Sequence, residues 1–164
     1  AIALLEALEE FPDWKFIITK ANADKGGRII NQMLDSYALN HKNTKIYDSL
    51  GMVRYLSALK YSRMVIGNSS SGLIEAPAFH VPAVNIGDRQ KGRIQPDSVI
   101  NCLPEKKDIL NAMKKADDAR FRQGLVNMPN PYGDGRTSEK IIRILETNLF
   151  STEVGLKRTF YDME

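Results

Sequence analysis

The chain has 164 residues, 43% of them apolar, and its formal net charge is +3 at pH 7. These values are typical of one folded domain and exclude a disordered chain, while the scattered basic residues give no reason to expect a nucleic-acid partner. No stretch approaches the roughly 18 uninterrupted apolar residues of a membrane span, so we expect no membrane partner. The single cysteine, Cys102, excludes an internal disulfide, and we expect a cytoplasmic protein.

Helices and short apolar strands alternate through the first half of the chain. The pattern predicts helices over 2–11, 25–41, 52–62 and 71–80, and strands over 14–19, 44–50, 63–67 and 82–87. Such an alternation favours parallel strands joined by right-handed crossovers and buried on both faces. We therefore predict an α/β fold with a doubly wound parallel sheet.

The second half is more polar, and its elements are fewer. The pattern predicts a strand over Val99–Leu103, a charged helix from Pro104 to about Asp117, and a turn-rich stretch from Asn127. A final amphipathic helix follows over 138–150, with Thr137 or Ser138 as its N-cap. We expect residues 1–150 to form a single Rossmann-like domain, and the tail over 151–164 has no period that predicts a conformation.

Several common phosphate-binding and catalytic motifs are absent. "GNSSSG" is not followed by Lys-Ser/Thr, so it is not a P-loop, and no GxGxxG opens the first strand-to-helix turn. The acidic residues that a receiver domain needs after its strands are missing. His41 and His80 lie near predicted helix ends, where a solvated side chain is the ordinary interpretation. We predict no metal site and no bound cofactor.

The segment "MVIGNSSSGLIEAPAF" carries the strongest local signal, because a strand ends there in Asn68 and three serines. Ligands of open α/β sheets bind beyond the carboxyl ends of the strands, and a helix that begins within "SSSG" favours an anion. Ser69 is thus a candidate phosphate ligand, and Glu75 a candidate acceptor for vicinal ribose hydroxyls. A plain helix N-cap and a solvent-exposed glutamate are the alternatives.

The next predicted strand is followed by cations. Arg89, Lys91 and Arg93 in "NIGDRQKGR" come directly after it, and Arg89 has the planar fork that suits a diphosphate. A solvated charged loop is the alternative. Together the two loops predict a phosphate site at one edge of the sheet.

Four segments together resemble the UDP-N-acetylglucosamine 2-epimerases, especially the hydrolysing branch of sialic-acid-type biosynthesis. They are "NADKGGRI", "GNSSSGLIEAPAF", "PAVNIGDRQKGR" and "NPYGDGRTSEKIIRIL", and they occur in the family's order and spacing. "RQKGR" resembles the hydrolysing enzymes more than the non-hydrolysing ones. The resemblance implies the Rossmann-like C-terminal half of a two-domain, glycosyltransferase-B-like fold.

The resemblance also implies roles for six residues. Ser69 and Ser70 would bind the diphosphate, Glu75 the ribose, and Arg89 a phosphate. The resemblance adds two more contacts, which periodicity alone could not supply. They are Asn22 near the phosphates and the backbone around Leu50 beside the uracil.

The reaction that the resemblance implies is elimination of UDP across C1 and C2 of the sugar to give a glycal. Water addition would then release UDP and N-acetylmannosamine or a related 2-epimer. The family's catalytic acid and base belong to an N-terminal half that the four segments do not include, so the catalytic residues are unknown. We expect a UDP-sugar, that N-terminal domain and, in the full-length protein, further copies of the chain as partners, and no turnover by this chain alone.

Two other functions fit the same residues. The donor half of a glycosyltransferase-B enzyme would share the ribose contact of Glu75 but would transfer the sugar to an acceptor. A stand-alone nucleotide-sugar-binding module would catalyse nothing.

Overall fold

The computed structural model describes residues 1–22 and 26–149 and divides the chain into two compact units, residues 1–131 and 132–164. In the first unit the helices are α1 (Ile2–Leu8), α2 (Gly27–Asn40), α3 (Gly51–Tyr61), α4 (Ser71–Ile74), α5 (Lys106–Asp117) and α6 (Ala119–Gly124). The strands are β1 (Phe16–Thr19), β2 (Thr44–Tyr47), β3 (Val65–Gly67), β4 (Ala83–Ile86) and β5 (Val99–Cys102). In the described part of the chain, no helix is long and apolar enough to cross a membrane.

All strand pairs of the first unit are parallel. β1 pairs with β2, and β4 lies between β3 and β5 in a second sheet. In that second sheet Ala83 of β4 is opposite Val65 of β3 on one side and Val99 of β5 on the other. The loops that follow β3 and β4 therefore leave the sheet at the same edge, since parallel strands end on the same side.

Neighbouring residues of β4 face opposite sides of the sheet, and helices cover both sides. Val84 belongs to the main core together with Ile109 and Met113 of α5, which are fully buried. Ala83 faces α4, where a Cβ atom built on Gly72 would lie only 3.2 Å from the Ala83 Cβ. Helices on both faces of a parallel sheet confirm the predicted doubly wound α/β fold.

The helix predicted over 71–80 is shorter than expected. α4 ends at Ile74, and a 3-10 helix follows over Ala76–Phe79. Pro77 explains the break, because proline has no N–H to donate and disfavours helical geometry in the residue before it.

One helix was not predicted. α6 is six residues long, and the Asp118 carboxylate caps it by accepting a hydrogen bond from the backbone N–H of Phe121 at 2.9 Å. A side-chain oxygen at the N-cap satisfies a donor that the first turn of a helix leaves free.

The second unit contains helix α7 (Thr137–Leu149). Lys140 N–H donates to the Arg136 carbonyl, so Arg136 is the N-cap and the predicted caps, Thr137 and Ser138, lie inside the helix. Asp134 accepts hydrogen bonds from the backbone and side chain of Arg136 and from Lys140, and these bonds lower the pKa of Asp134 to about 2.

The domain predicted over residues 1–150 included this last helix, whereas the compact units separate at 131/132. The tail over 151–164 lies outside the described residues.

Candidate functional site

Two loops meet at the carboxyl edge of the three-stranded sheet. We call residues 68–70, between β3 and α4, the serine loop, and residues 87–98, between β4 and β5, the cation loop. The cation loop begins at Gly87, whose φ of 79° is a left-handed conformation that glycine adopts without steric cost. Three of the six predicted site residues, Ser69, Ser70 and Arg89, lie in these loops, and a fourth, Glu75, directly follows the helix between them.

The hydrogen bonds of the serine loop limit what it offers to an anion. The Ser69 hydroxyl accepts from the Ser71 N–H at 3.3 Å, and the backbone N–H groups of residues 72–75 donate to carbonyls of residues 69–71. Among the described residues, the backbone N–H groups of Ser69 and Ser70 and the Ser70 hydroxyl have no partner. The free donors are therefore those of the loop itself rather than the amides of the helix, which is only four residues long.

Ser71 is tied to helix α3. Its side chain is buried, and its hydroxyl forms a hydrogen bond with the hydroxyl of Tyr55. This bond fixes the first residue of α4, so the serine loop is held at its helical end by a contact that the sequence did not predict.

Glu75 lies directly after α4 and is half-buried. Its Oε2 atom is buried and has no hydrogen-bond partner among the described residues. A buried carboxylate oxygen without a donor is costly, because desolvation is not offset by a hydrogen bond. Glu75 therefore has an acceptor without a donor from the described residues, one helical turn after Ser71.

Arg89, Lys91 and Arg93 are all exposed. Gln90, in the middle of this charged run, is instead buried at 3% exposure. Its Nε2 donates to the backbone carbonyl of Asn68 at 2.8 Å and so joins the cation loop to the serine loop. We call this contact the Gln90 bridge. Sequence reasoning missed it, since no local pattern distinguishes Gln90 from its charged neighbours.

Gln95, near the end of the cation loop, belongs to a separate group of hydrogen bonds that does not include the serine loop. Asn101 of β5 donates through its Nδ2 to the Gln95 Oε1 at 2.7 Å and accepts from the Asn85 Nδ2 at 2.8 Å. Asn85 is buried in the central strand, and its Oδ1 has no partner within the described residues. In the described part of the chain, no group of three or more His, Cys, Asp or Glu side chains could hold a metal ion.

The remaining predicted site residues follow the other sheet. Asn22 is exposed in the segment after β1, and Leu50 is half-buried immediately before α3, after β2. A Cβ atom on Gly27 would overlap the Asn22 backbone oxygen, so α2 begins in close contact with this segment. Asn22 and Leu50 thus follow the carboxyl ends of β1 and β2, a placement that agrees with the topology expected for a ligand site.

The model of the family described as UDP-N-acetylglucosamine 2-epimerase matches residues 1–146. The chain belongs to this family. The resemblance inferred from the four sequence segments is therefore confirmed.

The chain is also similar to two curated proteins over most of its length. It is 40% identical to the GDP/UDP-N,N'-diacetylbacillosamine 2-epimerase (hydrolyzing) of Campylobacter jejuni and 36% identical to polysialic acid biosynthesis protein P7 of Escherichia coli. Each match covers 98% of this chain but only 41% of the relative. The chain thus spans about two-fifths of the length of these proteins.

The fold agrees with solved structures of the epimerase family. The structure of the Methanocaldococcus jannaschii UDP-GlcNAc 2-epimerase in complex with UDP-GlcNAc and UDP superposes with a TM-score of 0.70 at 21% identity. The match covers 89% of this chain and 39% of that one. The chain has the Rossmann-like half of this glycosyltransferase-B-like architecture, as predicted.

Proposed function

We propose that this chain is the nucleotide-sugar-binding domain of a hydrolysing UDP-sugar 2-epimerase, with the diphosphate at the serine and cation loops. The observation that carries the proposal is the join between these loops, with the Gln90 amide 2.8 Å from the Asn68 carbonyl. It places unpartnered serine-loop donors and an exposed arginine on neighbouring loops at one edge of the sheet. Preorganised N–H donors and a guanidinium are the groups that stabilise a phosphate in proteins.

Glu75 supplies the acceptor that the sugar of the nucleoside needs. Its unpartnered Oε2 would accept hydrogen bonds from the vicinal ribose hydroxyls, as acidic residues do in other nucleotide-binding α/β folds. We propose Asn22 as a further contact near the phosphates and the backbone at Leu50 as the contact of the uracil. The name of the Campylobacter jejuni relative, a GDP/UDP-N,N'-diacetylbacillosamine 2-epimerase, supports a nucleotide-sugar ligand for this chain.

Isothermal titration of the 164-residue chain with UDP, 2′-deoxy-UDP and uridine tests the proposal. We expect UDP to bind more tightly than either analogue. Glu75→Ala should remove the preference for UDP over 2′-deoxy-UDP. Arg89→Ala should lower the affinity for UDP by about tenfold or more and leave the affinity for uridine unchanged, since charge-assisted hydrogen bonds are the strong ones.

Matched variants control for the loss of charge alone. Glu6→Ala and Arg120→Ala each remove an exposed charge of the same type from a helix away from both loops. Both should bind UDP as the unchanged chain does. UDP binding that survives Glu75→Ala and Arg89→Ala intact would contradict the proposed location of the nucleotide.

In the whole protein we propose elimination of UDP through a glycal, followed by water addition and release of UDP and the 2-epimer. The share of this domain would be to stabilise negative charge on the leaving UDP, through the serine-loop donors and Arg89. The catalytic acid and base would come from outside this chain, so the 164 residues alone should form no glycal from a UDP-sugar. Glycal formation by this chain would contradict that assignment.

Two further features of the whole protein belong to the proposal. We expect it to form a homo-oligomer and to act in the cytoplasm. The cytoplasmic location rests on the single cysteine, Cys102, which is typical of a reducing compartment.

A further inference from the structure

Gln90 is unusual among the residues of the cation loop, because it is buried while its neighbours are exposed. Only 3% of its surface is accessible, although Arg89 and Lys91 on either side are both exposed. Burial of an amide is unfavourable unless its polar atoms are hydrogen-bonded. Here the Nε2 bonds to the Asn68 carbonyl, whereas the Oε1 is buried and has no partner in the described part of the chain. The Gln90 amide is therefore only half satisfied by hydrogen bonds.

The backbone around Gln90 forms two tight turns. Lys91 N–H donates to the Asp88 carbonyl at 2.8 Å, and Arg93 N–H donates to the Gln90 carbonyl at 3.3 Å. Consecutive Cα atoms are about 3.8 Å apart, so the residue next to an anchored one has little freedom to move away. The Gln90 bridge thus limits the distance between Arg89, which precedes Gln90, and Ser69, which follows Asn68.

From this geometry, we infer that Gln90 is a positioning residue that holds Arg89 and the serine loop at the spacing of a diphosphate. The inference rests on the proposed function, because it assigns the role of Gln90 at the same site. A preformed spacing raises affinity because the loops need not be ordered when the ligand binds. Gln90 itself need not touch the ligand. Its effect should appear in the binding of the diphosphate and not in the binding of the nucleoside.

The test compares Gln90→Met with Gln95→Met in isothermal titrations with UDP and with uridine. Methionine keeps the length of the side chain but has no N–H donor. Gln95 is the matched control, since it is a glutamine of the same loop that accepts a hydrogen bond of 2.7 Å from Asn101 and makes none with the serine loop. Gln90→Met should lower the affinity for UDP by about tenfold and leave the affinity for uridine unchanged. Gln95→Met should change neither affinity by more than about threefold.

A double-mutant cycle with Arg89→Ala separates positioning from general damage. If Gln90 acts through Arg89, Gln90→Met should lower the affinity for UDP by a smaller factor in the Arg89→Ala background than in the unchanged chain. The inference would be overturned if Gln90→Met lowered the UDP affinity equally in both backgrounds, lowered the UDP and uridine affinities equally, or lowered neither. Failure of the proposed function is distinguishable, since the unchanged chain would then not bind UDP or Arg89→Ala would have no effect.

Gln90→Glu is the second variant, and it serves even where Gln90→Met fails to fold. An ionised glutamate cannot donate to the Asn68 carbonyl, whereas a protonated one can. The UDP affinity of Gln90→Glu, divided by that of the unchanged chain at the same pH, should therefore rise as the pH falls from 8 to 5.5. A ratio that stays constant over this range would overturn the inference.

Discussion

The hydroxyl of Tyr55 on α3 is hydrogen-bonded to the hydroxyl of Ser71, the first residue of α4. Ser71 is 8% exposed, so its hydroxyl depends on this protein partner rather than on water. The bond connects two helices on the same face of the sheet and fixes the end of the serine loop. Buried hydroxyls that lose their partner carry the full cost of desolvation.

Removal of the Tyr55 hydroxyl should therefore destabilise the fold. We expect Tyr55→Phe to lower the free energy of unfolding by about 1–3 kcal/mol, because the Ser71 hydroxyl is left buried and unpaired. Urea unfolding followed by circular dichroism measures this change. Tyr61→Phe is the control, since Tyr61 is 82% exposed on the same helix and should change stability by less than about 0.5 kcal/mol. Equal effects of the two variants would contradict the role given to the bond.

A methyl group at Gly27 should be poorly tolerated. The Cβ of an alanine there would overlap the Asn22 backbone oxygen, and the backbone cannot rotate away as a flexible side chain does. We expect Gly27→Ala to lower the free energy of unfolding by about 1–3 kcal/mol, as overpacking usually does. Gly124→Ala is the matched control, because nothing lies within 4 Å of its Cβ position at the end of α6. If Gly27→Ala were as stable as Gly124→Ala, the close approach of α2 to Asn22 would be wrong.

A buried side chain of α5 should contribute strongly to the core. Ile109 is fully buried between the sheet and α1, so Ile109→Ala should lower the free energy of unfolding by about 2–5 kcal/mol through lost burial and a residual cavity. Leu103→Ala, at a position that is 61% exposed, should cost less than about 1 kcal/mol in the same urea experiment. A small effect at Ile109 would show that the core lies elsewhere.

Asp134 should stay ionised at unusually low pH. Hydrogen bonds from the Arg136 backbone and from the Arg136 and Lys140 side chains lower its pKa to about 2, from an ordinary value of 3.8. Because the folded pKa lies below the unfolded one, the resulting stabilisation of the first turn of α7 is present above about pH 4 and is lost as the pH falls through 2. Carboxyl carbon chemical shifts recorded by NMR over pH 1–6 give the midpoint. A midpoint near 3.8 would contradict the contacts, and Asp134→Asn provides the spectral assignment.

The sequence predicted the parts of the fold that depend on local pattern. The strands were found because short apolar runs such as "RMVIG" and "PAVNIG" are bounded by polar residues. α6 was missed because a helix of six residues is too short to reveal a period, although Asp118 as its N-cap was a usable signal. After the serine loop, apolar spacing predicts a helix through residue 80, whereas the α-helix ends at Ile74 because Pro77 follows.

The candidate site was predicted as a location but not as a structure. "SSSG" and "DRQKGR" could be assigned to one edge of a parallel sheet from topology alone. The burial of Gln90 could not, because a glutamine between two cations is ordinarily solvated and its partner, Asn68, is 22 residues away. The same holds for Tyr55 and Ser71, whose pairing depends on how α3 packs against α4.

The bonds that order the serine and cation loops have a consequence for assembly. They join residues separated by 16, 16 and 22 positions in the sequence, whereas the two residues of the Lys106–Glu10 ion pair are 96 positions apart. The entropy lost on closing a loop grows with the logarithm of its length, so the short closures cost the least. Residues 55–101 therefore form one contiguous segment that contains both partners of each of these hydrogen bonds. Exchange of this whole segment between relatives would transfer these hydrogen bonds intact, whereas a junction between residues 55 and 90 would separate Gln90 or Tyr55 from its partner.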